Sequence, residues 1–152
     1  MMYSFAITRP VNPPGAAPVL TEEQLWKGLE YKARNPAAFV PMISSSKTTF
    51  DEGNKLVREL TLPHSPDIIK EEIASHAATI MYFEMSTGLR ITNVISYGPE
   101  NELLLTYSFA NGLPGVPADK PKPSAEVLNA IIGKALSNGL VIFRQMVEEG
   151  KL

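Results

Sequence analysis

The chain has 152 residues, a formal net charge of -2 and no cysteine. Its 44% hydrophobic and 20% charged residues are typical of a globular protein, and the length suits one substantial core over residues 1–152. This composition excludes disulfides and thiolate metal sites, and the absence of a Lys/Arg cluster argues against a nucleic-acid surface.

The first segment predicts a short strand, because Tyr3, Phe5 and Ile7 alternate with smaller or polar residues. It has neither the basic start nor the long apolar run of a signal peptide. No uninterrupted apolar stretch in the chain matches a membrane span. We therefore expect a cytoplasmic protein that does not enter a membrane.

A helix is predicted to begin after Thr21. Thr21 and Gln24 have the spacing of a capping box, in which each side chain binds the other residue's backbone N–H. Asn35-Pro36 ends this helix and can begin a second, short one, because proline is favoured at the first helical position. The sequence thus predicts two short helices after the first strand.

Residues 42 to 110 read as six strands separated by turn signals such as Asp51-Glu52-Gly53-Asn54 and Gly98-Pro99-Glu100-Asn101. A loop rich in Gly and Pro follows, from Gly112 to Lys122. The predicted strands cover 42–50, 55–62, 68–75, 78–85, 89–97 and 102–110.

The last thirty residues predict one long amphipathic helix, with Ser124 as its N-cap and its end near Glu149. Its apolar residues recur at three-and-four spacing. Glycine inside a helix costs about 1 kcal/mol relative to alanine, so Gly133 and Gly139 indicate a close backbone approach, a bend or room for a ligand. The apolar stripe comprises Val127, Leu128, Ile131, Ile132, Ala135, Leu136, Gly139, Ile142, Phe143 and Met146.

Taken together, the elements predict an α+β fold. A seven-stranded, curved antiparallel sheet wraps around a long C-terminal helix, with two short helices after the first strand. Such an arrangement places a face of the sheet opposite the helix, where a cavity can form. The pattern indicates a cavity more clearly than any chemistry performed in it.

Several blocks of the sequence carry a resemblance to a known family. The chain resembles the AtaL-like family of the START/birch-pollen-allergen-like (SRPBCC) superfamily, whose fold is the helix grip. The resemblance covers nearly the whole chain. The blocks are Pro10-Val11-Asn12-Pro13-Pro14-Gly15-Ala16, Leu20-Thr21-Glu22-Glu23-Gln24-Leu25-Trp26-Lys27-Gly28-Leu29, Lys32-Ala33-Arg34-Asn35-Pro36, Asn54-Lys55-Leu56-Val57-Arg58-Glu59, Asn93-Val94-Ile95-Ser96 and Leu104-Leu105-Thr106-Tyr107-Ser108-Phe109.

The resemblance implies a START-like domain that binds apolar small molecules. Some members of the family are encoded in secondary-metabolite gene clusters, and some relatives in the superfamily are cyclases or aromatases. The resemblance supplies no catalytic motif, so no catalytic residue is carried over from it. One fold hosts many functions, and the fold is better supported than the activity.

The sequence argues against metal and phosphate chemistry. The only histidines are His64 and His76, and neither has a carboxylate at a ligand-like spacing. The loop at Gly112 lacks the Lys-Ser/Thr of a phosphate-binding loop, and no serine lies in a Gly-x-Ser-x-Gly elbow. We therefore expect no metal and no cofactor.

Alternation along the strands yields one consistent set of inward residues, because residues two apart share a face of a sheet. An inward Arg58 can hold a carboxylate or polarise a carbonyl, and an inward Glu84, alone or with Tyr107, can transfer a proton. These three are the candidate catalytic residues. The predicted ligand-binding residues are Arg58, Tyr82, Glu84, Asn93, Tyr107 and Phe109 of the sheet and Leu136, Gly139 and Phe143 of the helix.

Structural alternatives stand beside each of these assignments. Arg58 can pair across strands with Glu59 or Glu84 on the surface, and such pairs are worth only ~0.2–1 kcal/mol. Tyr82 and Tyr107 can be core residues with their hydroxyls at the rim. A register slip of one residue reverses every inward assignment.

The leading hypothesis is a binding protein for an apolar or aromatic metabolite, with its entrance near residues 63–67, 87–88 and 112–120. A second is a cofactor-independent cyclase or isomerase of natural-product biosynthesis that uses the same cavity. A third is an interaction module or homodimer that uses the strand at 102–110 or the Pro-rich loop. The sequence leaves open whether the protein is an enzyme.

Overall fold

The computed structural model describes residues 2–152, and its elements follow the predicted order. A single turn of 3-10 helix, Pro36–Ala38, follows the first helix in place of a second α-helix. The strands are β1 (Phe5–Pro10), β2 (Ser45–Glu52), β3 (Lys55–Thr61), β4 (Ile68–His76), β5 (Ile80–Met85), β6 (Arg90–Tyr97) and β7 (Leu103–Ala110), and the helices are α1 (Glu22–Arg34) and α2 (Ala125–Glu148).

The seven strands form one antiparallel sheet in the order β1-β7-β6-β5-β4-β3-β2. Its edges are β1 and β2. The suggestion that the strand at 102–110 is an exposed edge for dimerisation was wrong, because β1 pairs along β7 from Phe5↔Phe109 to Pro10↔Leu104. The first strand thus covers the edge that the last strand would otherwise expose.

The capping box of α1 is formed as predicted. Thr21 Oγ1 accepts from the Gln24 backbone N–H at 3.1 Å, and Gln24 Oε1 accepts from the Thr21 N–H at 3.0 Å. Leu25, Trp26 and Leu29 lie on its buried face. The last turn of α1 meets the sheet, where Lys32 contacts Tyr107 and the Ala33 carbonyl contacts Arg58.

The long helix α2 begins at its predicted cap, where Ser124 Oγ accepts from the Val127 N–H at 3.2 Å. It is the one helix among residues 2–152 whose length and mean hydropathy of 1.3 suit a membrane span. Its buried face belongs to the core between sheet and helices, which accounts for that hydropathy. The buried residues of α2 are Leu128, Ile132, Gly133, Leu136, Gly139, Leu140, Phe143 and Met146.

Gly133 allows a close approach between α2 and β1. A Cβ at this position would collide with the guanidinium of Arg9. That guanidinium donates to the Asn129 side-chain oxygen at 2.9 Å and to the Asn129 carbonyl at 2.6 Å. Of the three explanations for a glycine in this helix, close approach is therefore the one that applies to Gly133.

Candidate ligand-binding site

The inner face of the sheet, which we define as the face toward α1 and α2, carries most of the predicted site residues. Arg58, Asn93, Tyr107 and Phe109 are all buried there, as the alternation of β3, β6 and β7 predicts. The pairing Asn93↔Tyr107 places these two residues side by side on neighbouring strands. Leu136, Gly139 and Phe143 of α2 are also buried.

The register predicted for β5 was wrong. Met81 and Phe83 are buried, whereas Tyr82 is 36% exposed and Glu84 lies on the outer face. Glu84 forms an exposed ion pair with Arg90 there. The physical reason is that the alternating set Met81, Phe83 and Met85 is wholly apolar, so its burial removes more apolar surface from water and no carboxylate.

A buried ion pair joins β3 and β4. Arg58 is 6% exposed and Glu71 is fully buried. Arg58 Nε donates to Glu71 Oε1 at 2.7 Å, and Nη2 also contacts this oxygen. Arg58 Nη1 donates to the carbonyl of Ala33 in the last turn of α1. Arg58 therefore ties α1 to the sheet, and its partner is neither Glu59 nor Glu84.

Burial acts on both members of the Arg58–Glu71 pair, but only one oxygen of Glu71 is hydrogen-bonded. Burial raises the pKa of the Glu71 carboxyl, and the neighbouring Arg58 opposes that rise. Burial also lowers the pKa of the Arg58 guanidinium. Because Nε and Nη2 of Arg58 both contact Oε1, the other oxygen of Glu71, Oε2, is buried without a hydrogen-bond partner among residues 2–152. Such an oxygen carries an uncompensated desolvation cost.

A second polar group on the inner side comes from α1. Lys32 Nζ donates to the Tyr107 hydroxyl at 3.1 Å and lies 4.7 Å from the centre of the Tyr107 ring. The same ammonium is 6.0 Å from the centre of the Phe39 ring. Phe39 in turn contacts Phe143 of α2, with ring centres 5.4 Å apart. Lys32, Tyr107 and these two rings form one polar–aromatic cluster.

Gly139 lies in the middle of the buried face of α2, four residues before Phe143 and therefore on the same side of the helix. A Cβ built on Gly139 would meet no neighbouring atom within 4 Å. At Gly133, by contrast, the guanidinium of Arg9 occupies the position that a Cβ would take. The structure therefore has open space beside Gly139, on the buried face of α2.

A surface pocket lies where the N-terminal segment meets the turn at 87–88 and the loop after β7. Its volume is about 200 Å³. Two of the three loops predicted to form an entrance contribute to it. Its lining residues are Met2, Tyr3, Thr87, Leu89, Asn111, Gly112, Leu113, Val116 and Ala118.

The part of the chain that the structure describes contains no cluster of side chains that could hold a metal ion. Within residues 2–152, no three His, Asp or Glu side chains cluster closely enough to hold a metal ion. The polar groups on the inner side include an ammonium, a phenol, an amide and a paired guanidinium and carboxylate. They can donate hydrogen bonds and move protons.

Two residues of the site, Lys32 and Glu71, were missed by the sequence-based prediction. Glu71 precedes the buried Ile73 by two residues, so alternation along β4 indicates that both face inward. Lys32 follows the buried Leu29 by three residues and so lies on the same side of α1. These signals were available, but charged residues are mostly exposed, which argues against placing them inside.

Comparison with solved structures shows the same helix-grip fold in proteins of low sequence identity. The ZhuI aromatase/cyclase from Streptomyces sp. R1128 is 15% identical, with a TM-score of 0.59 over 97% of this chain and 96% of that chain. The di-domain ARO/CYC StfQ from the steffimycin biosynthetic pathway is 13% identical, with a TM-score of 0.61 over 96% of this chain and 51% of that chain. Ara h 8.0201 is 13% identical, with a TM-score of 0.55 over 98% and 99% of the two chains.

By sequence, no protein with a curated description matches the chain. A family model does match, over residues 5–150, and it is described as acetylaranotin biosynthesis cluster protein L (AtaL). The match begins at the first strand and ends beyond α2, so it includes the whole sheet and both helices. The chain therefore belongs to the AtaL family.

Proposed function

We propose that this protein binds an apolar or aromatic small-molecule metabolite between the inner face of the sheet and α2. The observation that carries the proposal is the open space at Gly139, on the buried face of the helix. Protein interiors are close-packed, and a glycine inside a helix costs about 1 kcal/mol relative to alanine. A ligand that occupies this space would account for both features.

The surroundings of Gly139 suit such a ligand. Leu136, Leu140 and Phe143 are buried on the same face of α2, and Phe83 and Phe109 are buried on the sheet. A site with mostly apolar walls and a few polar groups is typical of small-molecule binding. The pocket at the loops 87–88 and 111–118 is the proposed entrance.

The family supports a role in secondary metabolism. The AtaL model takes its description from a protein of the acetylaranotin biosynthesis cluster. Two of the structurally similar proteins are aromatase/cyclases, one of them from the steffimycin biosynthetic pathway. We therefore propose that the ligand is an intermediate or product of natural-product biosynthesis.

A second candidate function is a cofactor-independent cyclase or isomerase that uses the same space. It is favoured by the Tyr107 hydroxyl, which lies on the inner face beside Lys32 and is able to donate a proton. Glu84 has no part in this mechanism because it lies on the outer face with Arg90. Arg58 is also disfavoured, since its donors are used by Glu71 and Ala33.

Native mass spectrometry of the protein purified from a rich expression host tests the binding proposal. We expect a bound apolar compound, released on denaturation and identifiable by its fragments. An empty protein that also shows no thermal shift with a library of aromatic and polyketide-like compounds would contradict the proposal.

The same identified compound separates carrier from enzyme. If the protein converts it or its precursor, Tyr107→Phe should lose far more in turnover than it loses in affinity for the compound. Glu84→Gln is the matched control because it removes a charge from the outer face of the sheet, and turnover should be unchanged. A Tyr107→Phe variant with normal turnover would exclude Tyr107 as the proton donor.

A further inference from the structure

Lys32 brings a positive charge to the inner side of the protein without a counter-ion. It is half-buried, and it forms no ion pair among residues 2–152. The other charges buried on the inner face, Arg58 and Glu71, neutralise one another. Taken as a group, these three residues leave one net positive charge facing the interior.

Asn93 adds an amide group beside Lys32 and Tyr107. Asn93 is 4% exposed and is the register partner of Tyr107. Its side chain lies on the inner face of β6, next to Tyr107 on β7. The Tyr107 hydroxyl accepts from Lys32 and so keeps its own proton available to donate.

The three side chains therefore offer donors of three kinds on one side of the core: an ammonium, a phenol and an amide. Phe39 and Phe143 stand next to them as aromatic walls. Charge-assisted hydrogen bonds to an anionic oxygen are roughly twice as strong as neutral ones. The charge of Arg58 is already paired with Glu71, and its Nη1 donates to the Ala33 carbonyl, so Lys32 holds the unpaired charge on this side.

We infer that Lys32, Tyr107 and Asn93 bind the carboxylate of an aromatic acid. This inference rests on the proposed ligand space and specifies the chemistry of the ligand that enters it. The carboxylate neutralises the unpaired charge of Lys32 and accepts from the hydroxyl and the amide, while the ring contacts the aromatic walls.

A matched pair of probes tests the inference, with 2-naphthoate as the acid and methyl 2-naphthoate as its neutral ester. We expect wild-type protein to bind the acid more tightly by about tenfold, as expected for one charge-assisted hydrogen bond. Lys32→Met keeps the aliphatic stem of the side chain and should abolish this preference, with the affinity for the ester unchanged. Tyr107→Phe, which removes one oxygen atom, should reduce the preference in the same direction.

The control is Lys27→Met, the same substitution on the exposed side of α1, where Lys27 pairs with Glu23. It should retain the preference for the acid. Urea unfolding of each variant confirms that it is folded, and Tyr107→Phe supplies the test if Lys32→Met does not fold. Equal binding of acid and ester by wild type, or a preference that survives both substitutions, would overturn the inference alone. If wild type binds neither probe, the result contradicts the proposed ligand space as well as this inference.

Discussion

The ring of Phe143 in α2 lies directly over Gly28 in α1. A Cβ at Gly28 would lie 2.8 Å from two of its ring carbons. This contact fixes how closely the two helices approach, and the Phe143 ring is held in place by Phe39 on another side. One glycine thus positions the aromatic side chain that forms a wall of the proposed site.

Gly28→Ala and Gly139→Ala should change stability in opposite directions. Overpacking against Phe143 costs about 1–3 kcal/mol, so Gly28→Ala should reduce the free energy of unfolding despite its better helix propensity. Gly139→Ala meets no atom and should gain up to about 1 kcal/mol. Urea unfolding measures both, and equal stabilisation by the two substitutions would contradict the packing described here.

The buried pair of Arg58 and Glu71 should behave as a coupled unit. Arg58→Met leaves a buried carboxylate unpaired and should cost about 3–5 kcal/mol in the free energy of unfolding. Adding Glu71→Leu removes that carboxylate, so the double variant should be more stable than Arg58→Met alone. Urea unfolding of the two single variants and the double variant measures the coupling. Additive effects would show that the two side chains do not interact.

The contributions of the Glu71 and Asp51 carboxyls to the free energy of unfolding should change with pH in opposite directions. Burial raises the pKa of Glu71 above its value in the unfolded chain. The folded protein therefore binds the carboxyl proton of Glu71 more tightly than the unfolded chain does. The stability that this proton contributes is fully present below the unfolded pKa of about 4.3 and is lost as the pH rises through the folded pKa. The free energy of unfolding of wild type, measured relative to that of Glu71→Gln, should therefore fall as the pH rises above the unfolded pKa of Glu71.

Asp51 supplies the contrast, because its exposed pair with Arg34 lowers the pKa of this carboxyl. Its contribution is present above the unfolded pKa of about 3.9 and is lost as the pH falls through the lower folded value. Thermal unfolding of wild type, Glu71→Gln and Asp51→Asn over this pH range measures both effects. The same pH dependence in wild type and Glu71→Gln would contradict the buried position of Glu71.

Substitutions on the outer face of β5 should leave ligand binding unchanged. Tyr82→Phe and Glu84→Gln alter side chains that point away from α2, so the affinity for 8-anilinonaphthalene-1-sulfonate should stay within about twofold of wild type. Fluorescence titration measures this affinity. A large loss in either variant would restore the inward register for β5.

The fold was predictable to a large extent because its signals are local. The capping box at Thr21, the N-cap at Ser124 and the turns at Gly53 and Gly98 set the element order, and the structure confirms it. The face of each strand was less predictable. On β3, β6 and β7 the alternating residues differ clearly in polarity, whereas β5 has apolar residues on both faces and its register depends on the pairing with β4 and β6.

The candidate site was predicted only in part, since it depends on contacts between distant segments. The sequence places Arg58, Asn93 and Tyr107 on one face, but pairing of Arg58 with Glu71 requires the β3–β4 register. Lys32 reaches Tyr107 only because α1 packs against the sheet, 75 residues away along the chain. The space beside Gly133 is filled by Arg9, a residue of the first strand that the helix sequence alone does not indicate.

The most direct test of the proposed ligand space is to fill it at Gly139. Gly139→Leu should lower the affinity for 8-anilinonaphthalene-1-sulfonate by at least about tenfold, because its side chain competes for the space. Asn138→Leu, on the exposed side of the same helix, should bind the probe as wild type does. Urea unfolding establishes that both variants are folded. Unchanged affinity in a folded Gly139→Leu variant would contradict a ligand site between the sheet and α2.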